Sequence, residues 1–144
     1  MTRIVVGVDG SSRSKDALRW AAGQAEATGA TLDVVMTWER INPEAWIPHE
    51  PRGSDDMLMI RRVVDRIVQA TLGEHPGVTV ETRALEGPAA KKLLEAAKDA
   101  DLLVLGNRGH GGFAGLLLGS VSMQCVTHAP CPVVVVHAAG KGRR

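Results

Sequence analysis

Aromatic side chains are nearly missing from this chain: one phenylalanine, three tryptophans and no tyrosine in 144 residues. With so few stacking platforms, and no basic stripe in any segment, nucleic acid is not an expected partner. Cysteine is scarce as well. Cys125 and Cys131 are too few for a disulfide framework and suit a reducing cytoplasm. No apolar run approaches the ~18 residues that a membrane helix needs, and the run before Asp9 is too short for a signal-peptide core. A soluble cytoplasmic protein with no membrane partner is the expectation. Acidic residues stop at Asp101, while Arg108, Lys141, Arg143 and Arg144 follow it. The net charge of +1 gives no general attraction to polyanions. Residues 102–122 nevertheless carry one positive charge and no negative one, which suits a bound anion.

Several catalytic signatures are absent too. There is no G-x-S-x-G elbow, and the serines at 11, 12 and 14 have no obvious histidine partner in sequence. The one Gly-Lys pair, Gly140-Lys141, is followed by glycine, so the P-loop pattern fails. Cys125, His128, Cys131 and His137 resemble a zinc set only at first sight. His137 lies about 20 Å beyond Cys131 at roughly 3.3 Å per strand residue. Zinc ligands must all stand about 2.0–2.3 Å from one ion, so buried thiols are the better account.

What remains is a regular alternation. At 144 residues and 44% hydrophobic, the chain suits one domain with a real core. Ile4 to Val8 is a short β-branched run, hence a strand buried on both faces. Ser11 or Ser12 can cap a helix with the stripe Ala17, Leu18, Ala21, Ala22 and Ala25. A second strand spans Leu32 to Thr37. Pro43, Pro48 and Pro51 then exclude regular structure over residues 38–53. Ser54 caps a second helix with the stripe Ile60, Val63, Val64, Ile67 and Val68. Val78 to Arg83 alternates with period two, as a half-exposed or edge strand does. Gly87-Pro88 starts a third helix with Leu93, Leu94 and Ala97 inward. Leu102 to Leu105 is a fourth buried strand, Gly119-Ser120 opens a short helix, and Val133 to His137 is the last strand. Five strands separated by helices predict a parallel α/β sandwich with right-handed crossovers. Residues 1–138 form one domain, and 139–144 a short basic tail.

Six of the sixteen glycines fall within residues 102–122. Gly106-Asn107-Arg108-Gly109 leaves the carboxyl end of a buried strand, where open α/β sheets bind ligands. Gly119, Ser120, Val121 and Ser122 sit at a helix start, where free N–H groups and the helix dipole favour an anion. Two donor sets therefore flank a nine-residue loop able to wrap a polyphosphate. The competing account is a glycine-rich turn with Ser120 as an ordinary N-cap. Gly109 to Ala114 also spells GxGxxA, but it begins past the strand and no acidic residue follows it, so the dinucleotide match is accidental. Asp9 ends the first strand at the same sheet edge. Its carboxylate could hold a ribose or magnesium, or could serve as a turn aspartate capping the next helix. His110 either touches a phosphate, acts as a base, or is a solvated loop residue. Trp38 and Trp46 either cover a base or pack on the sheet edge.

The sequence resembles the universal stress protein family. The resemblance rests on the opening strand ending Val8-Asp9-Gly10-Ser11, on G-x2-G-x9-G-[ST] at Gly106, Gly109, Gly119 and Ser120, and on the closing Ala129-Pro-Cys-Pro-Val-Val-Val-Val. It implies a Rossmann-like three-layer sandwich whose parallel sheet runs 3-2-1-4-5, with ATP bound between strands one and four. Asp9 would meet the ribose or magnesium, Gly7 would approach with its backbone, Thr37 would meet adenine, and Leu105 would lie near the ribose. Gly106 and Gly109 would take ribose and phosphate; Gly119, Ser120, Val121 and Ser122 would take phosphates. Phosphate contacts by Arg108 and His110 are an added inference, while Gly111, Gly112 and Gly115 keep the loop flexible. The order places VVVV at a sheet edge, a hazard unless paired. Family members commonly form homodimers through this strand, and Val133 to His137 would do so here. The implied function is an ATP-binding regulatory stress protein with protein partners of unknown identity. Its rivals are a slow ATPase and a dimeric interaction protein that holds another adenine nucleotide (AMP or cyclic AMP) or none. No catalytic residue is assigned.

Overall fold

A computed structural model describes residues 1–39, 53–74, 77–107 and 118–137. Strand β1 (Arg3–Gly7) leads into α1 (Ser12–Thr28), then β2 (Thr31–Trp38), α2 (Gly53–Leu72) and β3 (Val80–Glu86). Helix α3 (Ala89–Ala96) runs into a single 3-10 turn, Ala97–Asp99, followed by β4 (Leu102–Gly106), α4 (Ser120–His128) and β5 (Val133–Val136). The five strands form one parallel sheet in the order β3-β2-β1-β4-β5.

Strand residues alternate between two buried faces, which is why β1 and β4 read as unbroken apolar runs. Ile4, Val6, Leu32, Val34 and Val104 pack against Ala17, Leu18 and Ala21 of α1 and Val64 of α2. Val5, Val35, Leu103 and Leu105 pack against Leu93 and Ala96 on α3 and Cys125 on α4. Helices α1 and α2 thus cover one face of the sheet, and α3 and α4 the other. The alanine stripe of α1 lets that helix lie close to the sheet. Ser11 caps it by accepting from the Ser14 N–H, and Gly29 ends it at φ +75°, a left-handed value that glycine tolerates without strain.

Three local expectations shift. Helix α2 is described from Gly53, one residue before the expected cap Ser54. Strand β3 spans 80–86, not 78–83: its ladder is set by seven residues of β2, pairing Leu32 with Val80 through Trp38 with Glu86. The last strand stops at Val136, one residue short of His137.

The polar ties of the sheet have no counterpart among the sequence motifs. Asp33 is fully buried in the middle of β2. Its Oδ2 accepts from Arg3 and from Arg83, both at 2.7 Å, and its Oδ1 accepts from Arg83 Nε at 3.2 Å. One carboxylate therefore staples β1, β2 and β3. At the start of β4, Asp101 accepts from the Thr2 and Arg3 N–H groups and from the Thr2 hydroxyl. Those hydrogen bonds hold its carboxyl below the usual carboxylate range. Among the described residues, no helix is long and apolar enough to cross a membrane.

Candidate functional site

In this strand order the polypeptide leaves β1 toward β2 on one side and places β4 on the other. The split between β1 and β4 is the switch point at which open α/β sheets form a crevice at the carboxyl ends of their strands. The candidate site is built on that edge.

After β1, Val8 still donates to Val35 O at 2.9 Å, so the strand holds its line up to Asp9. The backbone then turns sharply. Gly10 takes φ +85°, a conformation that side chains other than glycine adopt with strain. Asp9 Oδ1 accepts from the Ser11 N–H at 2.9 Å, and the Asp9 N–H donates to Ser14 Oγ at 3.2 Å. Asp9 is thus a turn aspartate, one of its two expected roles, yet its side chain stays exposed at the crevice. Ser11 is the α1 cap, and Ser14 Oγ donates to Ser11 O. Ser11 and Ser14, two of the three serines that showed no histidine partner in sequence, are spent on this turn.

After β4, the Gly106 carbonyl accepts from Ser122 Oγ at 2.8 Å, with both groups buried. Asn107, given no role of its own within the Gly106–Gly109 set in sequence, pins the edge. Its N–H donates to Val136 O at 3.0 Å, and its carbonyl accepts from the Gly119 N–H at 2.7 Å. These bonds bring both ends of the β4–α4 connection together beneath the crevice. Gly119 is the N-cap of α4, in an extended conformation (φ −75°, ψ 170°), and makes no side-chain cap bond. Ser120 is therefore the first helical residue rather than a cap. The first intrahelical bond runs from the Met123 N–H to Gly119 O. The N–H groups of Ser120, Val121 and Ser122 precede it, so the helix itself supplies them no acceptor. The Ser122 side chain is already committed to Gly106, which leaves its backbone N–H as its contribution.

Two glycines of this edge have a packing reason of their own. A Cβ on Gly106 would stand 3.0 Å from the backbone carbonyl carbon and oxygen of Arg13, at the start of α1. A Cβ on Gly7 would stand 3.0 Å from Leu105 Cδ2 and 3.1 Å from Leu93 Cδ2. Gly7, Thr37 and Leu105 lie on the α3–α4 face, by the two-residue alternation that places Val5, Val35 and Leu103 there. Leu105 is buried, whereas Thr37 is half-buried at the end of β2. Trp38, beside Thr37, is half-buried and its carbonyl accepts from the Gly87 N–H at 2.7 Å.

Gly7, Asp9, Thr37, Leu105, Gly106, Gly119, Ser120, Val121 and Ser122 are all placed on the two strands and the helix start that frame one sheet edge, or on neighbouring β2. Arg108 and Gly109 lie outside the described residues, as do His110, Gly111, Gly112, Gly115, Trp46 and the tail at 139–144. Among the described residues no group of three or more His, Cys, Asp or Glu residues could hold a metal ion. Cys125, one turn along α4 from Ser122, is buried, and burial pushes its thiol up to about 11. It is a core residue.

A model of the Universal stress protein family matches residues 1–137. A universal stress protein of Mycolicibacterium smegmatis is 36% identical over 141 residues, covering 93% of this chain and 47% of that protein. The chain spans about half the length of the curated relatives it matches. A universal stress protein solved in complex with cAMP is 30% identical, with a TM-score of 0.66, over 94% of this chain and 96% of that one. A universal stress protein of Archaeoglobus fulgidus in complex with dAMP has a TM-score of 0.60 over 94% of this chain and 98% of its own. At 22% identity, that second likeness speaks for the fold.

Proposed function

The chain belongs to the universal stress protein family, and from that premise we propose that its crevice between β1 and β4 binds an adenine nucleotide, with ATP as the ligand. The observation that carries this reading is the start of α4. Three backbone N–H groups, at Ser120, Val121 and Ser122, stand behind a glycine cap at the switch point of the sheet. Such a cluster, reinforced by the helix dipole, suits phosphoryl oxygens. Gly119 keeps a side chain away from them. The exposed Asp9 carboxylate suits a ribose hydroxyl or a magnesium ion carried in with the phosphates, and Thr37 and Leu105 suit the adenine and ribose side. Arg108 and Gly109 complete the motif in sequence.

Nucleotide occupancy would alter the crevice rim and so the surface offered to regulatory protein partners, which makes the molecule a cytoplasmic switch rather than a catalyst. The unit doing this is residues 1–138, with 139–144 as a basic tail. A second reading has one specific support: the solved relative at 30% identity holds cAMP, so a cyclic or monophosphate nucleotide competes with ATP for the assignment. We further take the protein to be a homodimer. Strand β5 is at the sheet edge with all four valines half-buried, and Met123 and Val126 of α4 are exposed. Antiparallel pairing of β5 with its copy would cover that edge.

Native mass spectrometry of the purified protein tests both statements at once. The expected species is a dimer carrying bound nucleotide, with tighter titration by ATP than by AMP or cyclic AMP. A species that neither carries nor takes up any of the three would refute the nucleotide reading, and a monomer at micromolar concentration would refute the dimer. Gly119→Val should abolish uptake while leaving the fold intact, because the extended backbone at 119 accepts a β-branched residue. Steady phosphate release lost in Asp9→Ala would favour the slow ATPase instead.

A further inference from the structure

We infer that Arg13, in the first turn of α1, supplies a guanidinium to the phosphates of the bound ligand and is the cationic contact of this site on the α1 side. The inference deepens the nucleotide reading and rests on it.

Two helix starts converge on Gly106 from opposite faces of the sheet. From the α4 side, Ser122 Oγ donates to the Gly106 carbonyl at 2.8 Å. From the α1 side, the Arg13 backbone would meet a Gly106 Cβ at 3.0 Å, and the Arg13 Cβ would meet it at 3.2 Å. The Arg13 Cβ therefore lies on the flank of α1 that faces the end of β4.

The guanidinium is out of keeping with the other arginines. Among the described residues, three arginines are half-buried: Arg3, Arg13 and Arg83. Arg3 and Arg83 share the Asp33 carboxylate. Arg13 has no such acceptor among the described residues, and its Nε is shut off from solvent with no hydrogen-bond partner. A guanidinium cannot shed its proton to relieve that state. An unpaired N–H of this kind is a cost in the free protein and needs an explanation. A phosphoryl oxygen is the acceptor that its planar fork fits best. Asp9 is nearby in sequence, but its Oδ1 takes the Ser11 N–H. A buried Nε–H left without an acceptor at the point where two helix starts meet is explained if the acceptor arrives with the ligand.

The test compares wild type, Arg13→Gln and Arg13→Lys by calorimetric titration with ATP, adenosine and inorganic tripolyphosphate, alongside thermal melts. Arg13→Gln should weaken ATP and tripolyphosphate on the order of tenfold or more and leave adenosine unchanged, since it removes a charge-assisted hydrogen bond to phosphate only. Arg13→Lys should restore part of the loss. Without ligand, Arg13→Gln should melt no lower than wild type, because it deletes an unsatisfied group. Its ATP-induced rise in Tm should shrink. Equal weakening of ATP and adenosine, or unaltered ATP affinity, would overturn the inference, as would a lower melting point with an intact ATP-induced rise. Wild type that binds tripolyphosphate through Arg13 but gains nothing from adenine would leave Arg13 standing and sink the nucleotide reading. Wild type that binds none of the probes would sink both.

Discussion

Replacing Gly106 and Gly7 one at a time by alanine separates two kinds of close packing that look alike in sequence. Both glycines end a buried strand at the same edge, and a Cβ on either has its nearest neighbour at 3.0 Å. The neighbours differ. On Gly7 the added methyl meets Leu105 Cδ2 and the two Leu93 methyls at 3.1 and 3.3 Å. Those are side-chain ends, and a small torsional adjustment moves them by the few tenths of an ångström required. On Gly106 it meets the backbone carbonyl of Arg13, which is fixed in the capped first turn of α1 by the Ser11 and Ser14 bonds. Relief there means shifting the helix start away from β4. Overpacking costs about 1–3 kcal/mol, and the rigid site belongs at the upper end. Loss of glycine freedom in the unfolded state returns about 0.4–1 kcal/mol to both variants. Gly106→Ala should therefore lose about 2 kcal/mol, and Gly7→Ala should stay within about 1 kcal/mol of wild type. At roughly 3 °C per kcal/mol for a protein of this size, Tm should fall by about 6 °C in the first and by at most about 3 °C in the second. Calorimetric melts with matched urea titrations read both numbers, and equal urea slopes certify that the unfolded states are comparable. A Gly7→Ala loss as large as that of Gly106→Ala would refute the distinction between yielding and fixed neighbours. So would a neutral Gly106→Ala, which would show that the start of α1 is free to move.

Asp33→Asn removes the charge that two arginines share and leaves Arg3 with the exposed Glu81 at 3.4 Å as its remaining carboxylate. Breaking a buried pair costs about 3–5 kcal/mol. Here the arginine side chains are 29% and 38% exposed and partly screened, so about 2–3 kcal/mol is expected in urea unfolding, with nucleotide affinity unchanged. A loss under about 0.5 kcal/mol would mean that water, with Glu81 beside Arg3, already satisfies both arginines. Burial raises the Cys125 thiol from 9.0 to about 11, so the folded state keeps its proton after the unfolded state has released it. Stability from this group is complete below pH 9 and is lost as pH rises toward 11, by an amount on the order of 3 kcal/mol. The difference between wild type and Cys125→Ala, followed from pH 8 to 11, should show that decline; parallel curves would contradict it.

Local signals are legible in the sequence and distant ones are not. β1 and β4 can be read from Ile4–Val8 and Leu102–Leu105 because strands buried on both faces have no polar alternation to confuse with a helix. The glycine motif can be read because its ends, Gly106 and Gly119, are joined by one short connection. Ser11 as a cap and β3 as an edge also follow from neighbours within a few residues. Asp33 does not, since its partners are 30 and 50 residues away and a lone aspartate in LDVVMT carries no mark of them. Asn107 hides as one polar residue in a glycine run, although a polar residue at the end of a buried strand is itself a signal. The bounds of β3 escape its own alternation because the length of β2 decides where the ladder stops.

The small size of Gly106 answers two demands that a sequence pattern cannot tell apart. One is room for a ligand at the end of β4. The other is room for the backbone of α1, which the structure supplies at 3.0 Å from the position of a Cβ. The second demand does not weaken the first; it is the means by which the proposed site would be assembled. Drawing α1 onto Gly106 from one face, while Ser122 anchors α4 to the same residue from the other, brings two helix starts to one point of the sheet edge. Their positive ends then act together on whatever lies between β1 and β4. Each would be a weak anion site alone, and α1 spends part of its capacity on its own Ser11 cap. The pairing favours a ligand with several negative oxygens over one with a single charge. It also accounts for an arginine at the second position of α1, where a helix dipole would ordinarily prefer an acid. A cation placed against its own helix dipole, with its Nε–H left without an acceptor, is costly in the free protein, and under the proposal above a bound anion would offset that cost.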